Sequence, residues 1–133
     1  MRCLPLVLIA TLSISAAWAE QAVTTMTRDE LLTFLPNKHV KHVHKNGSLR
    51  RWVNEPNGEF IASSDNKQFG NVTGTRTGNA AGTWLVDNDG RYCVTINWKR
   101  VDEKWCASVL KGADGSYYLN QADDEHRIEF ANP

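Results

Sequence analysis

Three of the four histidines fall within six positions, in the run Lys38-His39-Val40-Lys41-His42-Val43-His44-Lys45. Side chains alternate across an extended strand, so His42 and His44 share one face and His39 takes the other. Two imidazoles two residues apart can grip one Zn²⁺ or Cu²⁺, which makes His42 and His44 the candidate metal ligands. A structural zinc site wants four ligands, however, and Lys38, Lys41 and Lys45 repel a cation. The favoured account of the run is a solvated edge strand whose positive charge deters pairing with another sheet. No cofactor is expected.

The segment from Lys38 to Arg51 carries Lys38, Lys41, Lys45, Arg50 and Arg51 and no acid. With Trp52 beside it, and with Arg76 further on, this stripe gives a candidate ligand or partner surface of Arg50, Arg51, Trp52 and Arg76 for a small molecule or an envelope protein. The bland alternative is internal: Asp114, Asp123, Asp124, Glu125 and Glu129 make the far end acidic, and an early strand pairing with a late one would bring the two together. Fifteen Lys plus Arg balance fifteen Asp plus Glu, so no overall field favours nucleic acid. For catalysis, neither Gly-x-Ser-x-Gly nor His-Glu-x-x-His occurs. Asp87 and Asp89 read as turn residues. In Asp123-Asp124-Glu125-His126 acid and imidazole are neighbours in sequence, which does not aim them at one another. No catalytic residue is assigned, and a small hydrolase with an unrecognised site stays as an alternative. Gly70, Gly74, Gly78 and Gly82 recur every fourth residue, but no Lys-Ser or Lys-Thr follows, so they read as sheet bending or close approach by an aromatic ring.

The positions that must hold these groups begin after a leader. Met1 and Arg2 precede an apolar run from Leu4 to Ala17 and then Ala17-Trp18-Ala19, the pattern of a signal peptide cut after Ala19. The run is shorter than the ~20 residues a membrane-crossing helix needs. Residues 1–19 are the expected signal peptide and 20–133 a single domain, periplasmic or secreted, with nothing in it that spans a membrane. Removing 19 of the 133 residues leaves 114, and of three cysteines only Cys93 and Cys106 remain. An even pair in an exported chain points to a disulfide.

Residues Glu20 to Met26 read as frayed. Thr27 to Leu35 then reads as one short helix, capped by Thr27 with Glu30 completing a capping box and with Leu31, Leu35 and Phe34 as its buried stripe. Pro36 stops it. Beyond that, Asn46-Gly47, Asn57-Gly58, Asp89-Gly90 and Asp114-Gly115 mark tight turns. The strands between them are Lys38–Lys45, Ser48–Asn54, Glu59–Ser64, Gly82–Asp87, Arg91–Trp98, Lys104–Leu110, Ser116–Asn120 and His126–Phe130, with Gly70–Thr77 as a ninth candidate. The expected fold is mainly β: one short N-terminal helix and an eight- or nine-stranded antiparallel meander forming a small barrel or strongly coiled sheet. If Cys93 lies opposite Cys106, Val94 faces Trp105 and Tyr92 faces Ala107. Val94, Ile96, Trp98, Trp105, Ala107 and Val109 then share an apolar face, with the disulfide on the other.

The run Gly82-Thr83-Trp84-Leu85-Val86-Asp87, then Asp89-Gly90-Arg91-Tyr92-Cys93, Trp98, Cys106 and Asp114-Gly115-Ser116-Tyr117-Tyr118, resembles the DUF995 family of small secreted proteins of Gram-negative bacteria. Gly47-Ser48-Leu49, Trp52 and Pro56-Asn57-Gly58 extend the likeness, which runs from Thr27 to Leu119. The resemblance implies a periplasmic or secreted bacterial protein and carries no catalytic residue. Together these readings lead to an exported, non-enzymatic binding module that takes a small molecule, envelope component or protein through a sheet face or barrel mouth, with metal binding through His42 and His44 as the second reading.

Overall fold

The computed structural model describes residues 22–66 and 76–133, leaving aside the side chains of Asn66, Arg76 and Thr77. The expected signal peptide, Gly70 and Gly74 lie outside the described residues. The Thr27 hydroxyl accepts from the Glu30 backbone N–H, and the Glu30 carboxylate accepts from that of Thr27, so the capping box starts helix α1, Arg28–Phe34. Leu31 and Leu35 are fully buried, and Phe34 packs on Tyr117 and Phe130.

Ten antiparallel strands follow or flank the helix: β1 Thr24–Thr25, β2 His39–Val43, β3 Leu49–Val53, β4 Glu59–Asn66, β5 Arg76–Val86, β6 Tyr92–Asn97, β7 Asp102–Ala107, β8 Val109–Lys111, β9 Tyr117–Leu119 and β10 Arg127–Ala131. They form one sheet in the order β1-β8-β9-β10-β2-β3-β4-β5-β6-β7, curled into a half-barrel. The four predicted turns are present, and Gly47, Gly58, Gly90 and Gly115 take φ of 77–84°, a conformation that is steeply unfavourable for residues bearing a Cβ.

Three expectations need correction. Strand β2, read as a solvated edge strand, is internal, paired with β10 on one side and β3 on the other, because the alternation that turns Val40 and His42 inward gives it a buried face. Residues Thr24 and Thr25, read as frayed, pair with Leu110 and Lys111, and the Met26 N–H donates to the Val109 carbonyl at 2.8 Å. Two residues leave too little pattern to announce a strand. The single strand read over Lys104–Leu110 is two, broken at Ser108. Strand β7 ends the sheet order on one side while β8 lies next to the last strand on the other, so the chain crosses from edge to edge at Ser108. Asn120, itself at φ 66°, holds that corner: its Oδ1 accepts from the Ser108 N–H and its own N–H donates to the Ser108 carbonyl, each at 2.9 Å. This crossing curls the sheet, and among the described residues the outer edge of β7 has no strand neighbour; the exposed charges of Asp102 and Lys104 oppose edge pairing there.

The register predicted for the cysteine hairpin is the one observed: Tyr92 opposite Ala107, Cys93 opposite Cys106 and Val94 opposite Trp105. Cys93 and Cys106 form a disulfide, with Cα atoms 4.0 Å apart. Replacing both by serine is expected to lower stability by about 3 kcal/mol through the freer unfolded chain, read as a lower urea midpoint. Gly82 is where the glycine series meets an aromatic ring. It pairs with Phe60 on β4, and a Cβ there would collide with the Phe60 ring and lie 2.8 Å from the Thr95 carbonyl oxygen.

Inside the curl the chain sorts into two ends. The helix end is filled by an aromatic core in which Phe130 contacts Phe34, Tyr117 and Tyr92, and Tyr92 reaches on to Trp84 and Trp105. Its polar knot is Asn54, whose Oδ1 accepts from Tyr92 Oη (2.6 Å) and Trp52 Nε1 (3.0 Å), while Nδ2 donates to the Leu35 carbonyl (3.2 Å). The other end of the curl is not filled in this way.

Candidate functional site

Alternation along four strands aims polar side chains into the unfilled end. On β2 the burial pattern turns Val40 and His42 inward, with His44 following in phase. Arg50 and Trp52 point inward from β3, Ser64 from β4, and Glu103 and Trp105 from β7. Trp98, just after β6, completes the wall. Of these, His42, His44, Arg50, Trp98, Glu103 and Trp105 line a pocket of about 1080 Å³ whose rim carries Lys45, Lys104, Asp102, Asp124, Glu125 and His126.

A buried ion pair forms its floor. Arg50 Nε donates to Glu103 Oε1 at 3.1 Å, with both side chains about nine-tenths buried. The guanidinium also donates to Ser64 Oγ and lies 4.8 Å from the Trp98 ring centre. His44 Nε2 stands 3.7 Å from the same Glu103 oxygen. The His42 ring leans on Trp105, centre to centre 5.5 Å.

Among the described residues, four buried side-chain polar atoms have no hydrogen-bond partner: His42 Nδ1, Trp98 Nε1, Glu103 Oε2 and Trp105 Nε1. All four belong to residues of this pocket. Each such group costs about 1–3 kcal/mol of desolvation, and all four, themselves covered from solvent, occur in residues that line one cavity. The two other described tryptophans differ: Trp84 Nε1 donates to the Glu55 carbonyl at 2.8 Å and Trp52 Nε1 to Asn54.

Burial holds the His42 imidazole down to about 4, against the opposing pull of Glu103 and with help from His44 and Arg50. The folded value lies below the ordinary 6.5 of the unfolded chain. Above pH 6.5 this group therefore adds no pH dependence, and as pH falls from 6.5 to 4 the unfolded chain takes up a proton that the native one refuses. Stability is expected to fall by up to about 3 kcal/mol across that window. Asp87, Asp114 and Asp123 are held below the usual carboxylate range, chiefly by the Arg91 backbone N–H, the Ser116 backbone N–H and the His126 side chain respectively. Their stabilising contributions are lost at lower pH. Urea unfolding of His42→Gln should therefore show a flatter decline between pH 6.5 and 4 than the parent, and a slope matching the parent's would contradict the assignment.

A family model described as a protein of unknown function, DUF995, matches residues 4–109, most of the chain. The chain belongs to the DUF995 family. No curated protein and no solved structure matches it. The matched stretch of this DUF995 member includes His42, His44, Arg50, Trp98, Glu103 and Trp105, and it ends before β9 and β10.

The residues singled out from sequence are distributed as follows in this DUF995 member. His42 and His44 share the inner face, and His39 lies outside. Arg50 and Trp52 point inward while Arg51 points outward and reaches Asp65 at 4.0 Å, so Arg50, Arg51 and Trp52 do not share one face. The side chain of Arg76 lies outside the described residues. Lys41 sits opposite Glu129 where β2 meets β10, the early-with-late strand pairing weighed above. One reading is corrected: Asp123 and His126 do meet, at 2.5 Å, because a 3-10 turn over Asp124–His126 folds the imidazole back onto the residue that caps it. A second, more open groove runs over the outer face of β2 to β5, past Lys41, Arg51, Glu59 and Thr83. None of the four residues that hold the unpaired atoms lines it. Glu103 escaped the sequence reading although a signal was present. Two residues before Trp105, it falls on the same inward face, and a carboxylate in an otherwise apolar series asks for an explanation.

Proposed function

We propose that this protein is an exported bacterial binding module whose ligand enters the open end of the half-barrel. The observation that carries the reading is one concave pocket lined by the Trp98, Trp105 and His42 rings and floored by the Arg50–Glu103 ion pair, in residues that also hold the four unpaired buried polar atoms. Concave, aromatic-lined sites with a few fixed polar groups are where small molecules bind. The disulfide supports export, since such bonds persist in oxidising compartments. Among the described residues no helix is long and apolar enough to cross a membrane. The test is thermal stabilisation by a small-molecule extract of the bacterial envelope. The parent protein should melt higher in the extract, and a Trp98→Phe/Trp105→Phe variant should not. Equal stabilisation of both would place binding elsewhere.

A metal reading retains one supporting observation: His42 and His44 share the inner face, with Glu103 close to His44. The Arg50 guanidinium against the same carboxylate works against it. Zinc and copper content of protein purified without a nickel column, together with the melting temperature on metal addition, separates the two readings.

A further inference from the structure

We infer that the outer face of β2 to β5 is an interface between two copies of this chain, arranged end for end about a twofold axis. The inference is independent of the pocket reading, because the side chains it uses point away from the inside of the curl. Alternation lays three bands across this face. At one end Lys41 and Arg51 stand directly opposite one another on β2 and β3. In the middle Val53, Ile61 and Ala81 turn outward from β3, β4 and β5, with Ile61 and Ala81 paired. At the other end are Glu55, just past β3, and Glu59, the first residue of β4. Ser63, the strand partner of Arg51, lies four residues along β4 from Glu59, so the basic and acidic bands are about 13 Å apart with the apolar band midway. Lys41, Arg51, Glu55 and Glu59 are the lysine, arginine and acidic residues of the groove's described lining.

Two features of this face go unexplained within one copy. Ile61 is 67% exposed on a strand with neighbours on both sides, where the solvated face of an antiparallel sheet ordinarily carries polar residues. Lys41 and Arg51 are like charges in directly opposed positions, which weakens a strand pair. Glu129 opposite Lys41 and Asp65 at 4.0 Å from Arg51 flank them, but exposed pairs of this kind contribute little. A second copy answers both. A twofold axis lying in the interface and running across the strands along the Ile61 row sets apolar band on apolar band and reverses the order of the charges. The basic end of each copy then meets the acidic end of the other, twice over, with Arg51 and Glu55 on the same strand line. A surface of a single sign, such as an anionic membrane, would attract one end and repel the other.

Analytical ultracentrifugation of the protein between about 1 μM and 1 mM tests this. The parent is expected to pass from monomer to dimer within that range. Ile61→Glu, which sets a charge in the apolar band, should raise the concentration of half-dimerisation about tenfold or more. Lys41→Glu/Arg51→Glu makes both ends acidic and Glu55→Lys/Glu59→Lys makes both basic, so each variant alone should stay monomeric. An equimolar mixture of the two should form a heterodimer, an outcome that misfolded variants could not give. Should a reversal unfold the chain, Ile61→Glu at its exposed position keeps the test decisive. A parent still monomeric at about 1 mM would overturn the inference, as would a dimer indifferent to Ile61→Glu and to both reversals, which would place the contact elsewhere. A mixture of folded reversal variants that stays monomeric while the parent dimerises would also overturn it. Ile61-dependent co-sedimentation of a monomeric parent with phosphatidylglycerol vesicles would overturn it too, giving this face to a membrane.

Discussion

Replacing Glu103 by alanine is expected to destabilise the protein by about 3–5 kcal/mol, because it leaves the Arg50 guanidinium buried without its counter-charge. Both side chains are about nine-tenths buried and joined at 3.1 Å, so solvent screens the pair little. The informative companion is the double replacement Arg50→Met with Glu103→Leu. Apolar residues of similar size commonly match or exceed a buried ion pair in stability, so the double variant is expected to regain the parent's urea midpoint or pass it. Ligand binding should be lost in both. Recovery of stability without recovery of binding would show that the pair is kept for recognition and not for folding. A double variant as unstable as the single would instead make the pair a structural element.

Asn54→Ala should have an effect of similar size at the opposite end of the half-barrel. The substitution removes the acceptor for Trp52 Nε1 and Tyr92 Oη and the donor to the Leu35 carbonyl in one step. Asn54 and Tyr92 are fully buried and Trp52 nearly so, so water cannot take over these bonds without opening the core. At about 1–3 kcal/mol for each orphaned group, and less than additively, the loss should reach about 4 kcal/mol. Tyr92→Phe removes only the hydroxyl and should cost less than half as much. Burial already raises the Tyr92 phenol well above its ordinary value, so neither effect should depend on pH below 9. Equal urea midpoints for Asn54→Ala and Tyr92→Phe would contradict the account of Asn54 as the shared partner.

Most of the architecture was legible from short-range signals. A hydroxyl three residues before a glutamate announced the helix, and four Asn-Gly or Asp-Gly pairs announced the turns. The Cys93–Cys106 pair then fixed the register of β6 against β7. What escaped had no local signature. The crossing at Ser108 depends on Asn120, twelve residues away, and a two-residue strand such as β1 exists only because β8 is there to pair with it. The site was half legible: period-two alternation placed His42 and His44 together. That same alternation separates Arg50 from Arg51, which adjacency in sequence had joined into one surface. The inward phase of Glu103 was readable from Trp105 two residues on, but its ion pair with Arg50 and its place beside Trp98 arise only when the sheet curls β7 over β2 and β3.

The account stands on the open end of the half-barrel being the recognition site, and the indole region of a ¹⁵N–¹H NMR spectrum tests it with internal controls. Trp98 and Trp105 carry the unpaired N–H groups, while those of Trp52 and Trp84 are already bonded within the core. On addition of the envelope extract, the Trp98 and Trp105 signals are predicted to shift and those of Trp52 and Trp84 to hold still. Shifts of Trp52 or Trp84 alone, or of outer-face residues such as Arg51 and Thr83 with the pocket indoles unmoved, would contradict it.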